Sequence, residues 1–549
     1  MKIFKKLIIA YFILVISKII ISLFIKTPLG FADSYIYMST AKSFFYNQSF
    51  FFDGGNYLLY PPLYSLSIFL SYFMKDMVAV FTTMKIINSF LLSLVIFPIY
   101  LLAKEFLETK RAFIIALMGS LAAPLFSFSN YVLSENLFFP LILFTIYFLY
   151  KSFSEDSIKW DILTGIFLGL SYLTKMNTIV LFPTIFFGTI YTIYKKKNYN
   201  QIKRKIILLG VSLIVVSPWL IRNLLAFGFS LQGLLGRYIA EVPGQTASFN
   251  YFSRGYWTLL YSTYAILSGG ILFSILSIRL FFQKRLKNKL NLFVIILSLV
   301  ILFSIILGGI HSGAFSNWED SRPIGRYQAQ IIPLIFILGA IGIKKGLHKT
   351  INYKHILMTT VFFILTLPLV KFVLFPLNNM SLSYIGVLNE LLQRFLGFSY
   401  PILASLLVIS PFSLLIFKKL ETRKIYAFFL ILISLITLLN TAIIIYDSNY
   451  RWYPKEVSEI GRWINDNIEP DALIIFDERD HIFSSKRKFN KEDLEGEDAS
   501  TYLLSWVKNP IIMGNENTKG SYFISSSELD KEVVKKSKTR EDKIFIYRL

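Results

Sequence analysis

The chain has 549 residues, of which 54% are hydrophobic and 17% are charged, with 53 Phe and 32 Tyr. This composition is typical of a polytopic membrane protein and excludes an ordinary soluble globular class. The chain has no cysteine, which excludes disulfides, thiolate catalysis and Cys-ligated metal but leaves the redox compartment open.

The net charge of +23 is unevenly divided along the chain. From residue 447 onward there are 17 Lys and Arg against 20 Asp and Glu, whereas the preceding part has 40 basic and 14 acidic residues. The basic excess lies in short segments between apolar runs, as the positive-inside rule predicts for cytoplasmic loops. Membrane orientation therefore explains the charge better than nucleic-acid binding does.

Thirteen apolar runs are predicted to span the membrane, with the N-terminus in the cytoplasm. The runs lie near 7–25, 78–103, 112–130, 136–150, 161–175, 178–194, 206–221, 259–281, 291–310, 329–343, 355–376, 400–417 and 425–446. The first run could belong to a cleaved signal peptide, but it is longer than the usual apolar region of one. A signal anchor is the better interpretation.

The charges of the connecting segments predict the orientation. The segments KEFLETKR, KKKNYNQIKRK, QKRLKNKL, KKGLHKTINYK and KKLETRK all fall on one side under this count. Since basic short loops stay inside, this side is cytoplasmic. The long loop 26–77 is then expected outside, in a multi-pass protein of the cell membrane.

The composition changes after residue 446. Residues 454–468 have helical apolar spacing, and SELDKEVVKKSK and STYLLSWV are also expected to be helices. Short strands are predicted at 472–477, 510–514, 521–525 and 543–549. The sequence thus predicts a transmembrane domain, 1–446, and a small α/β domain, 447–549, which span parity places outside the cell.

Asp33 is one of few acidic residues expected on the outer side, and it follows the first span by only a few residues. A carboxylate beside apolar surface has a raised pKa unless it is paired, which suits a general base. The alternative is that Asp33 only caps a short helix from Ser34 to Phe44. The residues alone leave both interpretations open.

Several basic residues lie at span ends on this same side, where Lys and Arg are otherwise scarce. They are Lys175, Arg222, Arg322 and Arg326. Fixed cations at the lipid boundary suit a phosphate headgroup, because Arg can make bidentate contacts and Lys provides a point charge. Each of them could instead be an ordinary interfacial anchor.

Two lysines, Lys18 and Lys85, lie within predicted spans. A charge at such a position either faces the protein interior with a partner or extends to the membrane surface. The sequence does not decide between these arrangements.

The sequence gives little evidence for a cofactor. The four histidines show no metal-ligand spacing, although oxygen-ligated Mg²⁺ or Mn²⁺ at Asp33 is possible. No Walker A motif or Gly-rich phosphate loop follows a predicted strand, so a cytoplasmic nucleotide is not the expected donor substrate.

Six short motifs follow one another in an order that is more specific than any one of them. They are DSYIY with Asp33 and Tyr37, YPPLYS (60–65), SEN (134–136), GIFLGLSYLTK (165–175), PWLIRN (218–223) and GRYQAQIIP (325–333). In these motifs the chain resembles the GT-C glycosyltransferases, in particular the protein O-mannosyltransferases and aminoarabinose transferases. The resemblance covers roughly residues 1–340.

The resemblance implies transfer of a sugar from a polyprenyl- or dolichyl-phosphate carrier to an acceptor outside the cell. It implies that Asp33 deprotonates the acceptor hydroxyl and that the sugar is transferred with inversion. Arg222, Arg326 and Lys175 would stabilise the phosphate leaving group. The remaining residues expected to bind substrate are Tyr37, Tyr60, Glu135, Arg322 and Tyr327.

Two residues depart from the pattern of the resemblance. Ser34 stands where many relatives have a second acid, which weakens a two-carboxylate or metal scheme. Tyr60 stands where some have a Lys, which leaves phosphate binding to the Arg residues. The main alternative function is a transporter or flippase of a lipid-linked or anionic substrate, which would need charges at mid-membrane and two matching halves.

Overall fold

The protein is described by a computed structural model. The described residues are 2–28, 32–48, 60–197, 199–229, 251–284, 286–314, 324–370, 384–397, 400–454, 456–469, 472–477, 503–537 and 544–549. Arg322, predicted to bind substrate, lies outside them.

Apolar helices form most of the described chain, which confirms the predicted fold class. Eight are long and apolar enough to cross a membrane, or ten if each of two bent helix pairs counts as one span. In its described residues, each predicted apolar run coincides with helical structure, but those near 161–175, 329–343 and 355–376 correspond to shorter helices. The number of thirteen spans therefore stays a prediction.

We number the helices in chain order. The first eleven are α1 (Lys2–Leu23), α2 (Ala32–Asn47), α3 (Leu63–Ile68), α4 (Met77–Ser93), α5 (Ile96–Lys104), α6 (Thr109–Leu121), α7 (Ala123–Ser127), α8 (Glu135–Ser154), α9 (Ile158–Tyr172), α10 (Leu181–Lys196) and α11 (Asn200–Phe227). They are followed by α12 (Tyr251–Ser268), α13 (Ile271–Phe281), α14 (Asn288–Ala314), α15 (Ile332–Lys344), α16 (Tyr353–Val370), α17 (Tyr384–Leu396), α18 (Tyr400–Ile409), α19 (Ser413–Lys419), α20 (Thr422–Tyr446) and α21 (Glu456–Asn467).

Two glycines bring α9 and α11 into close contact. A Cβ atom on Gly165 would lie 2.5 Å from the carbonyl oxygen of Leu208, and one on Gly169 would lie 2.7 Å from Cβ of Val215. Small residues four apart on one helix face allow two membrane helices to approach closely. The GIFLGLSYLTK segment is therefore a packing surface as well as the lead into Lys175.

A five-stranded sheet lies near the C-terminus. Its strands are β1 (Ile474–Asp477), β2 (Ile511–Gly514), β3 (Tyr522–Ser525), β4 (Val533–Lys536) and β5 (Phe545–Arg548), in the order β2-β1-β3-β5-β4. β1 is parallel to β2 and β3, whereas β5 is antiparallel to β3 and β4. The predicted strands at 472–477, 510–514, 521–525 and 543–549 are confirmed.

The helix predicted for SELDKEVVKKSK is wrong, because Val533–Lys536 forms the edge strand β4. The reason is tertiary: the exposed backbone edge of β5 offers hydrogen bonds, and a short, Lys-containing strand is a common way to end a sheet. The helix predicted at 454–468 is present as α21, and Leu503–Trp506 of STYLLSWV are helical.

The sheet is not packed as an isolated unit. One hydrophobic core joins residues of α2, α3 and α4 to residues of α21 and the sheet, including Tyr35, Met84, Ile460 and Ile524. The boundary predicted between residues 446 and 447 stays a prediction, and the apolar core extends across it.

The two lysines within spans face the protein interior. Lys85 is 2% exposed and its Nζ donates to the carbonyl oxygens of Ser22 and Ile25, at 2.9 and 2.6 Å. Lys18 is fully buried and donates to the carbonyl oxygen of Leu125 at 3.3 Å. Lys85 thus binds one carbonyl in the last turn of α1 and one just after the helix, which agrees with the interior arrangement rather than with extension to the surface.

Candidate functional site

The turn between the α7 region and α8 positions Glu135. Asn136 donates from Nδ2 to the carbonyl oxygens of Tyr131 and Leu133, both at 2.9 Å, and Asn88 of α4 donates to Tyr131 at 3.0 Å. These side-chain bonds add to the backbone N–H bonds that the same two carbonyl groups accept, and together they fix the shape of the turn. Glu135 is consequently held in the first turn of α8, where a carboxylate is favoured by the helix dipole.

Glu135 contacts two of the cations that were predicted to bind substrate. Its carboxylate accepts a hydrogen bond from Nζ of Lys175, and its Oε1 lies 3.5 Å from Nε of Arg326. The side chains of all three are buried, with Glu135 only 1% exposed. Such charges are tolerated in an interior only as a compensated set.

Asp33 completes this cluster from the other side. It lies in the first turn of α2, its Oδ2 accepts from Nη2 of Arg326, and its Oδ1 accepts from the hydroxyl of Tyr60 at 2.8 Å. The side chain is 23% exposed, more than any other member of the ion cluster. Asp33 therefore does more than begin a helix: it is the partly accessible carboxylate of a buried ion cluster.

Aromatic rings surround the cluster. Tyr37, one turn after Asp33, donates to Oγ of Ser134 at 2.8 Å and packs edge-on against Tyr60, with ring centroids 5.5 Å apart. On the opposite side, the ring of Tyr327 lies 5.1 Å from Nζ of Lys175. These rings keep water away from the charges, which strengthens their interaction.

Burial acts in opposite directions on the pKa values of Arg326 and Tyr37. Burial alone would lower the pKa of Arg326, but the carboxylates of Asp33 and Glu135 outweigh it and hold that pKa well above its ordinary value. Burial, with Asp33 and Glu135 nearby, raises the pKa of Tyr37 well above its usual range. Arg326 thus stays charged and Tyr37 stays a neutral hydrogen-bond donor.

Two hydrogen-bond donors of Arg326 are available to a ligand. Its Nε and Nη1 atoms are buried and have no hydrogen-bond acceptor within the described part of the chain, because the 3.5 Å approach to Glu135 is an ion pair without hydrogen-bond geometry. A buried, unsatisfied guanidinium donor costs free energy of about 1–3 kcal/mol. An anion bound beside Arg326 would remove that cost.

The predicted residues are therefore partly brought together. Asp33, Tyr37, Tyr60, Glu135, Lys175, Arg326 and Tyr327 form one cluster. The contacts described for Arg222 are with its own helix, α11: its guanidinium lies 5.2 Å from the Trp219 ring and donates to Oδ1 of Asn223 at 3.1 Å.

Two neighbours of the cluster were missed as functional candidates. Ser134 accepts from Tyr37 and also donates to Glu135 at 3.4 Å. The ring of His311, at the end of α14, meets Tyr327 edge-on with centroids 5.0 Å apart. The sequence offered a signal for Ser134, which belongs to the SEN motif beside Glu135. For His311 the only signal was its position at the outer end of a predicted span.

A divalent metal at Asp33 is not supported by the ligands present. No group of three or more His, Asp or Glu residues that could hold a metal occurs in the ranges given above. The carboxylate of Asp33 faces a guanidinium rather than a second carboxylate, so the positive charge beside it comes from Arg326.

The fold matches a solved structure along almost its whole length. ArnT from Cupriavidus metallidurans bound to undecaprenyl phosphate matches with a TM-score of 0.59, covering 99% of this chain and 98% of that one at 12% sequence identity. The chain has the GT-C fold. The apo state of the same ArnT matches this GT-C chain with a TM-score of 0.57 over the same shares.

Other comparisons are more limited. The Archaeoglobus fulgidus oligosaccharyltransferase AglB, in complex with an inhibitory peptide and a dolichol-phosphate, matches with a TM-score of 0.43, at 12% identity, over 91% of this chain and 64% of that one. The family model described as dolichyl-phosphate-mannose-protein mannosyltransferase matches residues 61–221 of this GT-C chain. A comparison with curated proteins found no match.

Proposed function

We propose that this chain is an integral-membrane glycosyltransferase that moves a sugar from a polyprenyl- or dolichyl-phosphate carrier to an acceptor hydroxyl outside the cell. The observation that carries the proposal is Arg326, a buried cation that holds Asp33 and has two donors, Nε and Nη1, with no acceptor among the described residues. A phosphodiester that takes Nη2 together with Nε or Nη1 would make the bidentate contact that suits guanidinium, and it would compete with Asp33 for Nη2. The matched ArnT structure, with undecaprenyl phosphate bound, supports the choice of carrier.

The proposed reaction is a single displacement. Asp33 takes the proton of the acceptor hydroxyl, and the oxygen attacks the anomeric carbon. The bond from that carbon to the phosphate oxygen breaks, its electron pair leaves with the carrier phosphate, and the configuration inverts. Arg326 and Lys175 stabilise the negative charge that accumulates on the departing phosphate.

The ion pair between Asp33 and Arg326 suggests how donor binding prepares the base. The donor phosphate competes with Asp33 for the guanidinium, so its arrival loosens the carboxylate and leaves it free to accept a proton. Glu135 holds Lys175 and Arg326 in place meanwhile. The acceptor hydroxyl would then donate to the carboxylate of Asp33 in place of Arg326 or Tyr60.

The other predicted residues have supporting roles in this proposal. Tyr60 orients the carboxylate of Asp33, whereas the rings of Tyr37 and Tyr327 line the sugar site. Arg222, in α11, and Arg322 are proposed to bind the carrier phosphate. The name of the matching family model suggests mannose, and Mg²⁺ or Mn²⁺ at Asp33 stays a prediction that chelation during the assay tests.

The test is a transfer assay with purified protein and labelled lipid-phosphate sugars, scored for sugar release and transfer. We expect Asp33→Asn to lower turnover about 10²–10⁴-fold, because the amide cannot accept the proton. Carrier-lipid binding should be kept or become tighter, because the donor phosphate no longer competes with a carboxylate for Arg326. Arg326→Lys should lower turnover and weaken carrier binding together, since one ammonium cannot replace a planar fork of donors.

Asp76→Asn is the matched control. Asp76 is also an acid of the 26–77 segment, but its carboxylate caps α4 by accepting from the backbone N–H of Ala79. We expect full turnover and a stability loss of about 1 kcal/mol at most. Undiminished transfer by Asp33→Asn would contradict the proposal, and movement of labelled lipid across vesicles without any transfer would favour a flippase.

A further inference from the structure

We infer that the C-terminal unit, residues 456–549, positions the catalytic helix α2, and that Lys42 is the positioning residue. This inference rests on the proposed function, in which Asp33 of α2 is the catalytic base. It assigns to the C-terminal unit a role in the geometry of the active site itself.

Lys42 is the direct connection. Its side chain is 6% exposed, and Nζ donates to the carbonyl oxygens of Val507 at 3.3 Å and Asn509 at 3.0 Å. Burying a lysine costs free energy unless its hydrogen bonds are replaced. The two carbonyls supply that replacement, so α2 is fixed to the segment 506–509.

The segment 506–509 is itself rigidly held. Asn465 of α21 donates from Nδ2 to the carbonyl oxygen of Trp506 at 2.5 Å and accepts from the backbone N–H of Lys508 at 3.0 Å. Asn509 donates to the carbonyl oxygens of Glu469 and Ala472, at 2.7 and 3.2 Å. The acceptors of Lys42 therefore belong to the C-terminal unit and cannot follow a movement of α2.

The same segment is anchored to the membrane half a second time. Nζ of Lys508 donates to the carbonyl oxygens of Met74 and Lys75, at 2.7 and 2.9 Å, just before α4. The ring of Trp506, fully buried, packs edge-on against Phe81 of α4 with centroids 5.5 Å apart. A short segment thus bridges α2 and α4.

The geometry of α2 places this contact opposite the site. Lys42 follows Asp33 by nine residues, which at about 100° per residue puts the two side chains on opposite faces of the helix, two and a half turns apart. Asp33 and Tyr37 face Arg326 and Ser134, while Lys42 faces the C-terminal unit. α2 is therefore clamped between the ion cluster and the segment 506–509.

The position of α2 matters for the reaction because this helix carries Asp33 in its first turn. Without Lys42, the helix can tilt or slide relative to Arg326 while the rest of the protein stays folded. A misplacement of the reacting groups by about 1 Å can cost on the order of 100-fold in rate. Binding of the carrier phosphate depends on Arg326 and Lys175, which do not lie on α2.

The test compares Lys42→Met with Lys42→Arg and with the control Lys531→Met. Lys531 also donates to a carbonyl oxygen, that of Glu516, but lies at the exposed side of the C-terminal unit. We expect Lys42→Met to lower turnover about 10- to 100-fold, leaving the half-saturating carrier-lipid concentration within about two-fold. Lys42→Arg should recover most of the turnover, and Lys531→Met should lose none.

Amide hydrogen exchange of α2 is the readout that does not depend on the reaction. Lys42→Met should raise exchange in residues 32–47 while exchange in α9 and α11 stays the same. If wild-type protein transfers no sugar, the proposed function fails, and the exchange result still decides whether Lys42 positions α2. Wild-type turnover together with wild-type exchange in Lys42→Met would overturn the inference.

A second variant covers the case in which Lys42→Met does not fold. Asn465→Leu loosens the segment 506–509 without altering α2, because both described bonds between Asn465 and this segment are lost while those of Lys508 and Asn509 remain. We expect a loss of turnover and an increase in α2 exchange in the same direction as in Lys42→Met but smaller, because other bonds still hold the segment. A folded Asn465→Leu protein with neither change would also overturn the inference.

Discussion

At the scale of single residues, the site is a balance of buried charge. Arg326 and Lys175 are cations, Asp33 and Glu135 are carboxylates, and of the four only Asp33 is noticeably exposed. Each charge is stabilised in the interior by its opposite. Glu135 has the central position, since it contacts both cations and is held by the turn before α8.

Removing the charge of Glu135 should therefore destabilise the protein. We expect Glu135→Gln to lower the free energy of unfolding by about 3 kcal/mol, because Lys175 and Arg326 are left buried with less compensation. Heat or denaturant unfolding of the protein in detergent measures this free energy. Glu155→Gln removes a half-exposed partner of Lys151 and should cost about 1 kcal/mol or less; an equal loss in both variants would contradict the expectation.

At the scale of elements, the contact between α9 and α11 sets the position of Lys175. α9 ends at Tyr172 and Lys175 follows immediately, so the depth of α9 in the bundle fixes the depth of the cation. At the other end of α9, Asp161 binds Arg204 and Lys205 of α11, in a buried ion cluster. The glycine contact and this ion cluster together hold the two helices in register.

A side chain at Gly165 should force α9 and α11 apart. We expect Gly165→Val to lower the free energy of unfolding by about 1–3 kcal/mol, because the added atoms meet backbone and Val211 rather than open space. Gly210→Ala on α11 is the control: nothing lies within 4 Å of its Cβ, and the better helix propensity should leave stability equal or raise it by up to about 1 kcal/mol. Thermal unfolding of both variants decides; a harmless Gly165→Val would show that the helices are not in close contact.

At the scale of the whole molecule, the two ion clusters lie at opposite ends of α9. With about 1.5 Å of rise per residue, Asp161 and Lys175 are separated by roughly 20 Å along the helix. A membrane protein is expected to keep its buried charges near its two water-facing ends. The distribution of Lys and Arg then predicts that the cluster with Asp33 faces outward.

The absence of cysteine makes this orientation directly testable by introducing one cysteine at a time. In intact cells, a membrane-impermeant maleimide should label Asn517→Cys in the C-terminal unit, which we expect outside. Lys110→Cys, in the basic segment at the start of α6, should react only after the membrane is permeabilised. The reverse labelling pattern would show that the orientation is inverted and that the carrier sugar must be presented from the cytoplasm.

Much of this molecule follows from its sequence alone. The apolar runs, the basic loops, the helix at 454–468 and four strands depend on patterns within short segments, where neighbouring side chains share a face. The motifs with Asp33, Glu135 and Arg326 were recognisable for the same reason. Even so, no local pattern distinguishes a base from a helix cap.

The tertiary structure decided which side chains meet. Asp33 and Arg326 are 293 positions apart, and only the packing of the helices brings them together. Packing also turned Lys18 and Lys85 inward, made a strand of Val533–Lys536 at the edge of β5, and fixed α2 to the C-terminal unit through Lys42. The physical reason is that segment patterns specify elements, whereas ion pairs and edge pairings depend on partners that are distant along the chain.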